Sequence, residues 1–228
     1  KNFAEYIGSK YAVMVNSGSS ANLVAMAALT NLQNNNRLKY GDKVIVPGIC
    51  WSTSIFPILQ FGLIPVIIDV EPLTMNIDIN KLKQKIKEDT NIKGIVLVHV
   101  LGNCTNMNEL MNIVNENNLF LLEDTCESLG SSFGNKKLGT FGNFGTFSFY
   151  YSHHITTIEG GMVICDNEND YELIKCLRAN GWTRNLKKKE EYEKKYENID
   201  KRFLFVNLGY NLRPMEIQGR MGISQLSK

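Results

Sequence analysis

Five short apolar runs, most of them rich in β-branched residues, punctuate the first part of the chain: Tyr11–Val15, Lys43–Val46, Ile64–Asp69, Gly94–Val98 and Leu119–Asp124. Between them lie stretches with the composition or period of helices, at Ala21–Leu32, Trp51–Phe61, Ile79–Lys87 and Asn106–Asn117. Strands that are apolar nearly throughout must be covered on both faces, and an alternation with helices supplies that cover. The expected class is therefore α/β, a doubly wound and mostly parallel central sheet with helices on both faces, rather than a sandwich or a barrel.

Past Asp124 the pattern changes. Gly130, Gly134, Gly139, Gly142 and Gly145 mark a loop-rich stretch, followed by two apolar segments, Thr146–Tyr150 and Met162–Cys165. Asn167–Asn180 is helical in period, and Met215–Leu226 reads as a helix with Pro214 near its start. Lys187–Lys201 is a charge run without apolar periodicity, expected to be a solvated loop or helix. No internal repeat is visible.

Composition excludes several classes of function. With 25 Lys and Arg against 23 Asp and Glu, the net charge is +2, which argues against the strongly basic face of a nucleic-acid binder. No apolar run approaches the ~20 residues that span a bilayer, so no membrane partner is expected. Cys50, Cys104, Cys126, Cys165 and Cys176 are dispersed, without the spacing of a zinc site or a disulfide framework. They read as packed free thiols of a cytoplasmic enzyme. The start, Lys1-Asn2-Phe3-Ala4-Glu5, has neither an initiator Met nor a signal-peptide core, and is expected to lie within a longer protein.

Three places carry candidate chemistry. In Asn16-Ser17-Gly18-Ser19-Ser20-Ala21-Asn22 a glycine and serines stand between a strand and a helix, where free N–H groups and the helix dipole suit a phosphate. Helix capping alone explains the same residue types. Asp124 ends an apolar strand, on the side of an open α/β sheet where ligands bind, and a carboxylate there can hold a protonated ring nitrogen. A helix cap or a structural ion pair is the alternative. The third place is Ser148 to Gly161, which contains His153 and His154. Adjacent side chains diverge, so the pair is a poor metal chelate, whereas one imidazole suits general acid–base work. His99, inside a predicted strand, is expected in the core.

Taken in order, Ser17–Asn22, Gly41–Pro47, Glu123-Asp124, and Phe147-Ser148-Phe149 running into Ile155-Thr156-Thr157 and Glu159-Gly160-Gly161 resemble the PLP-dependent sugar aminotransferase family. The likeness continues through Gly209–Pro214 and Gln218–Leu226, so it covers essentially the whole chain. It implies the aspartate aminotransferase fold in its three-layer large domain, pyridoxal or pyridoxamine 5'-phosphate (PLP or PMP) as cofactor, and nucleotide-linked keto sugars as substrates. Residues 1–228 are read as that cofactor-binding domain, with the family's first helix and C-terminal small domain lying outside it.

One residue departs from the family pattern. Members that transaminate carry a lysine, joined to the cofactor as a Schiff base, at the position of His153, and no lysine occurs between Lys137 and Lys175. Imidazole cannot replace the amine in that bond. The exchange resembles the 3-dehydratase branch, and Tyr151–Ile155, Leu177–Asn185 and Trp51-Ser52-Thr53 resemble its GDP-sugar members in a 3,6-dideoxysugar (colitose) route to O-antigen lipopolysaccharide. Some dehydratases of this kind carry an iron–sulfur cluster, which needs four placed thiolates that the dispersed cysteines do not suggest.

The resemblance implies a role for each site residue. His153 is the acid/base that removes a cofactor proton while the C3 hydroxyl of a nucleotide-linked 4-keto-6-deoxy sugar leaves. GDP-4-keto-6-deoxymannose is the favoured substrate, and L-glutamate regenerates PMP. Asp124 holds the ring nitrogen and Glu127 meets the ring's 3-oxygen. Gly18, Ser19, Ser20 and Ser148 take the phosphate, and Trp51 stacks on the ring. Asn211 reaches the phosphate of a neighbouring subunit, which implies a homodimer with shared sites. A 4-aminotransferase and a noncatalytic scaffold of the same fold are the rival readings.

Overall fold

The computed structural model describes residues 1–227. In chain order the elements are α1 (Asn2–Ile7), β1 (Tyr11–Val15), α2 (Gly18–Leu29), β2 (Lys43–Pro47), α3 (Ser52–Gln60), β3 (Ile64–Ile68), α4 (Ile79–Glu88), β4 (Ile92–Val98), α5 (Met107–Glu116) and β5 (Phe120–Asp124). They continue with a two-stranded hairpin, β6 (Ser132–Phe133) and β7 (Lys136–Lys137). Then come β8 (Phe144–Ser148), β9 (Gly161–Cys165), α6 (Glu168–Leu177), α7 (Lys189–Lys195) and α8 (Glu216–Leu226).

Seven strands form one sheet in the order β1-β9-β8-β5-β4-β2-β3. The pairs β3–β2, β2–β4, β4–β5 and β5–β8 are parallel, and β9 runs antiparallel to both β8 and β1. Side chains of successive strand residues point to opposite faces, and here both faces are apolar. Val44 and Val46 of β2 join Val96, Leu122, Phe144 and Val163 against α2, α3 and α6. Ile45, Ile95, Leu97 and Leu121 face the other way, toward α4 and α5. Farther along that second face, Phe147, Met162 and Ile164 meet Phe3 and Ile7 of α1, with Leu226 of α8 beside them. The three-layer α/β class expected from the sequence is thus present.

The helices begin where side-chain caps allow. Ser17 accepts from the Ser20 N–H, Asp78 from those of Asn80 and Lys81, Asn106 from that of Glu109, and Asn167 from those of Asn169 and Asp170. Helix α2 packs on the sheet through small side chains, and Ala21, Ala25, Ala27 and Ala28 are all buried.

Some expectations shift. The strand expected at Thr146–Tyr150 is β8, two residues earlier, so Phe149 and Tyr150 already belong to the following loop. The charge run contains α7, which buries none of its residues and is a solvated helix. Helix α1 and the β6–β7 hairpin leave no mark in the sequence pattern, because elements of two to six residues are too short to show a period. Among the described residues, no helix is long and apolar enough to cross a membrane.

Candidate active site

The C-terminal ends of the parallel strands gather most of the residues singled out in the sequence. Asp124 closes β5 and is buried. Its Oδ2 accepts two hydrogen bonds, from Asn22 Nδ2 at 2.8 Å and from Ser54 Oγ at 2.7 Å. Thr146 Oγ1 donates to Asn22 Oδ1 at 2.6 Å, which settles which way that amide faces. Oδ1 of Asp124 receives only a long bond, 3.3 Å, from the Cys126 N–H. These partners of Asp124 are all neutral. A buried carboxylate so held, with one oxygen committed and the other nearly free, matches a protonated ring nitrogen as occupant.

Next to it lies the first turn of α2. Gly18 and Ser19 are among the leading residues whose N–H groups have no acceptor within the helix, so they present donors at its positive end. A Cβ at Gly18 would stand 2.5 Å from Ser148 Cβ and 3.2 Å from Cys126 Sγ. Only glycine lets this turn close on the end of β8. A Cβ at Gly161 would likewise stand 2.1 Å from the Ser17 carbonyl oxygen, so the β9 strand begins directly against the same turn. Ser148 is buried, and its hydroxyl accepts from the Tyr150 N–H at 3.3 Å. Backbone donors, a serine hydroxyl and a tight cradle fit a phosphate group.

Beneath Asp124, Glu123 is fully buried and accepts four hydrogen bonds. They come from the N–H groups of Gly139 (2.9 Å), Phe141 (2.6 Å) and Gly142 (2.7 Å), and from His99 Nε2 (3.0 Å). His99 is in the core, as expected, just beyond β4. Its N–H donates to the Asp124 carbonyl, and its own carbonyl accepts from Ser128 Oγ. The turn that follows contains Leu101 at φ 51°, a left-handed conformation that is unusual for leucine. There the Leu101 N–H donates to Glu127 Oε2 at 3.2 Å, so Glu127 is oriented by a turn anchored through His99.

His153 is half-buried in the loop after β8. Burial lowers its pKa from the ordinary value, Glu127 and Asp124 oppose that by favouring the imidazolium, and His154 adds to the lowering. With burial the largest of these influences, the imidazole is held toward its neutral form, which can accept a proton. Cys126 has its thiol pushed well up by burial and by the Asp124 charge, so it stays protonated there.

Trp51 is the N-cap residue of α3, the helix whose Ser54 binds Asp124, and is 74% exposed. Asn211 is not part of the cluster. Its exposed carboxamide oxygen accepts from Arg213 Nε at 3.2 Å and its backbone bridges Ala179. The structure therefore brings together Gly18, Ser19, Ser20, Asp124, Glu127, Ser148 and His153, while Trp51 is exposed at the start of α3. Sequence reasoning gives no role to Asn22, Ser54, Thr146 and Cys126. Only proximity in space reveals them, because nothing in their spacing ties residues 22 and 54 to residue 124.

Comparison with known proteins shows the family to which the chain belongs. Residues 1–228 match the DegT/DnrJ/EryC1/StrS aminotransferase family. The chain is 48% identical over 228 residues to the GDP-4-keto-6-deoxy-D-mannose 3-dehydratase of Escherichia coli O55:H7, covering 99% of this chain and 58% of that protein. Among solved structures it is similar to a GDP-4-keto-6-deoxymannose-3-dehydratase variant with bound GDP-perosamine, with a TM-score of 0.91 and 47% identity over 99% of this chain and 58% of the other. Another structure of that enzyme, holding a trapped PLP-glutamate geminal diamine, gives a TM-score of 0.92 and 46% identity over the same shares, 99% and 58%. The chain thus spans a little under three-fifths of the length of these relatives.

Proposed function

The chain belongs to the DegT/DnrJ/EryC1/StrS aminotransferase family, and from that premise we propose that it is the cofactor-binding part of a PMP-dependent 3-dehydratase of a nucleotide-linked 4-keto-6-deoxy sugar. GDP-4-keto-6-deoxymannose is the favoured substrate, given the 48% identity to an enzyme of that name. The product would feed 3,6-dideoxysugar synthesis for lipopolysaccharide in the cytoplasm, where nucleotide sugars and glutamate are supplied.

The observation that carries the reading is the imidazole of His153 where transaminating relatives have a lysine, within a stretch, 138–174, that contains no lysine at all. The rest of a PLP-type site is retained around it. Bound PMP would supply an amine to the C4 ketone of the sugar and an electron-accepting ring through which the C3 hydroxyl can leave. Asp124 keeps the ring nitrogen protonated, and its orientation is set by Asn22 and Ser54. The first turn of α2, through Gly18, Ser19 and Ser20, holds the phosphate together with the Ser148 hydroxyl. Glu127 contacts the ring's 3-oxygen, and Trp51 covers the ring face.

His153, neutral and half-buried, takes the proton from the cofactor's methylene and returns one to the departing hydroxyl. With no lysine to bond the cofactor, noncovalent contacts alone retain it, and L-glutamate restores the amine form after each turnover. Asn211, exposed and bonded through its side chain only to Arg213 among the described residues, would complete the phosphate contacts of a second subunit. Exposed Phe56, Leu59 and Ile67 along α3 and β3 offer apolar surface for such a homodimer.

The test is to incubate the full-length protein with PLP, L-glutamate and GDP-4-keto-6-deoxymannose and to weigh the nucleotide-sugar product. Loss of one oxygen with the 4-keto group retained supports dehydration. A product with a new amine and its C3 oxygen means transamination instead, and a protein that binds neither cofactor form is a scaffold.

A further inference from the structure

The loop that carries His153, residues 149–160, is closed at its base by the Phe149 N–H to the Gly160 carbonyl (2.8 Å) and the Thr157 N–H to the Phe149 carbonyl (2.9 Å). Among the described residues, His153 itself makes a backbone hydrogen bond to Tyr150 and none through its ring. Its position therefore depends on the loop.

Two amides of α8 reach across to that loop from far along the chain. The Thr156 N–H donates to Gln225 Oε1 at 3.0 Å, and Gln225 Nε2 donates back to the Thr156 carbonyl. Gln225 thus pairs with Thr156 as a neighbouring strand would. Gln218 Nε2 donates to the Glu159 carbonyl at 2.6 Å, while Gln218 Oε1 accepts from the Met215 N–H at 2.7 Å. Gln218 is buried. Seven residues separate the two glutamines, two helical turns, which puts both amides on one face of α8.

Between the two clamped carbonyls sits Ile158 at φ 70°. A β-branched residue is strained in the left-handed region, and this one is exposed, so burial of its side chain does not offset the strain. What holds it is the backbone on either side. Thr157 is fully buried with its hydroxyl on the Glu159 carbonyl at 2.7 Å. Gly222 of α8 packs so near that a Cβ there would stand 3.3 Å from Thr157 Cγ2.

We propose that Gln225 and Gln218 are positioning residues, which clamp the 149–160 loop onto α8 against the strain at Ile158 and so aim His153 at the reacting atoms. The inference rests on His153 being the base, and it extends the active machinery to a helix that does not line the Asp124 cluster. A misplacement of about 1 Å at a reacting group costs roughly a hundredfold in rate, so a clamp at this distance from the chemistry has leverage.

The experiment uses full-length protein with Gln225→Met and, separately, Gln218→Met, each filling similar space without the amide. Ser224→Ala, on the exposed side of α8, is the control. The first readout is the His153 ring titration by NMR, assigned by its loss in His153→Asn. Glu127, Asp124 and His154 all influence this ring, and burial dominates. Release of the loop is therefore expected to raise the His153 pKa toward the ordinary value.

Alongside that rise, kcat should fall about tenfold or more while KM and cofactor affinity stay within about twofold, the pattern of a lost transition-state interaction. Gln225→Glu, which keeps the acceptor for Thr156 but loses the donor, should fall between wild type and Gln225→Met. It stands in for Gln225→Met if that variant does not fold. An unchanged titration in the glutamine variants overturns the proposal, whether or not kcat falls. Turnover that survives His153→Asn would instead overturn His153 as the base, and would leave the titration test of the clamp intact.

Discussion

Asn22 and Asp124, 102 residues apart in the chain, are joined by a 2.8 Å hydrogen bond that ties α2 to the carboxylate at the end of β5. The same Asn22 amide is oriented by Thr146 on the adjacent strand. One side chain thereby links the two places proposed to hold the ends of the cofactor, and changes at either should be felt in binding and turnover.

Asp124→Asn keeps the volume and removes the charge. A hydrogen bond to a charged partner contributes about 1.5–3 kcal/mol, so turnover should fall by at least about tenfold at saturating cofactor. Steady-state rates with PMP in excess, set beside the absorbance spectrum of the bound cofactor, would check it. Wild-type turnover in the variant would mean that Asp124 does not hold the ring nitrogen protonated.

Gly18→Ala places a methyl group 2.5 Å from Ser148 Cβ. Either α2 or the end of β8 must then move, at a cost of roughly 1–3 kcal/mol for overpacking. We expect a lower melting temperature and a cofactor dissociation constant raised by about tenfold or more, measured by calorimetric titration. Unaltered affinity would show that the phosphate is held elsewhere.

Glu123→Gln replaces an acceptor-only side chain with one that carries an NH2 group. All four groups around Glu123 are donors, so one N–H must face another in a fully buried site. A buried donor left unpaired costs about 1–3 kcal/mol, and chemical denaturation should show a loss of that size. Because Glu127 is oriented through the same His99 turn, turnover is expected to fall as well.

The proposed role of His153 predicts an acid limb in the pH profile. With the neutral imidazole as the proposed base, activity should be lost as pH falls through the His153 pKa. Burial lowers that pKa below its usual 6.5, so the acid limb of kcat/KM should lie below pH 6.5 and disappear in any residual activity of His153→Asn. An acid limb at or above 6.5 would contradict a burial-shifted imidazole.

His153→Lys restores the amine that transaminating relatives carry. We expect dehydration to be lost and the added lysine to bond covalently to PLP, read as an intact-mass increase that survives borohydride. Dehydration continuing unchanged would mean that the proton is moved by another group.

The α/β class, the order of most strands and helices along the chain, and the capping residues before α2 were legible in the sequence because they depend on local pattern and on residues near one another in the chain. Periodicity located β1 within its observed bounds and placed α4 and α5 within a residue of theirs. Asp124, the Gly18 turn and His153 were legible as candidates, because each carries its signal in adjacent residues. The antiparallel insertion of β9 between β1 and β8 was not, since strand order depends on which apolar faces pack together over long separations.

The same limit hid the partners that make the site work. Asn22, Ser54 and Thr146 meet around Asp124 only after two strands and two helices have packed. Gln225 meets Thr156 only when α8 folds back onto a loop 69 residues earlier. The sequence by itself determined the layers of the fold and the chemical types available at the ends of its strands. Tertiary structure alone decided which of those groups share a hydrogen bond, because hydrogen bonds act over about 3 Å and only packing brings such distant residues that close.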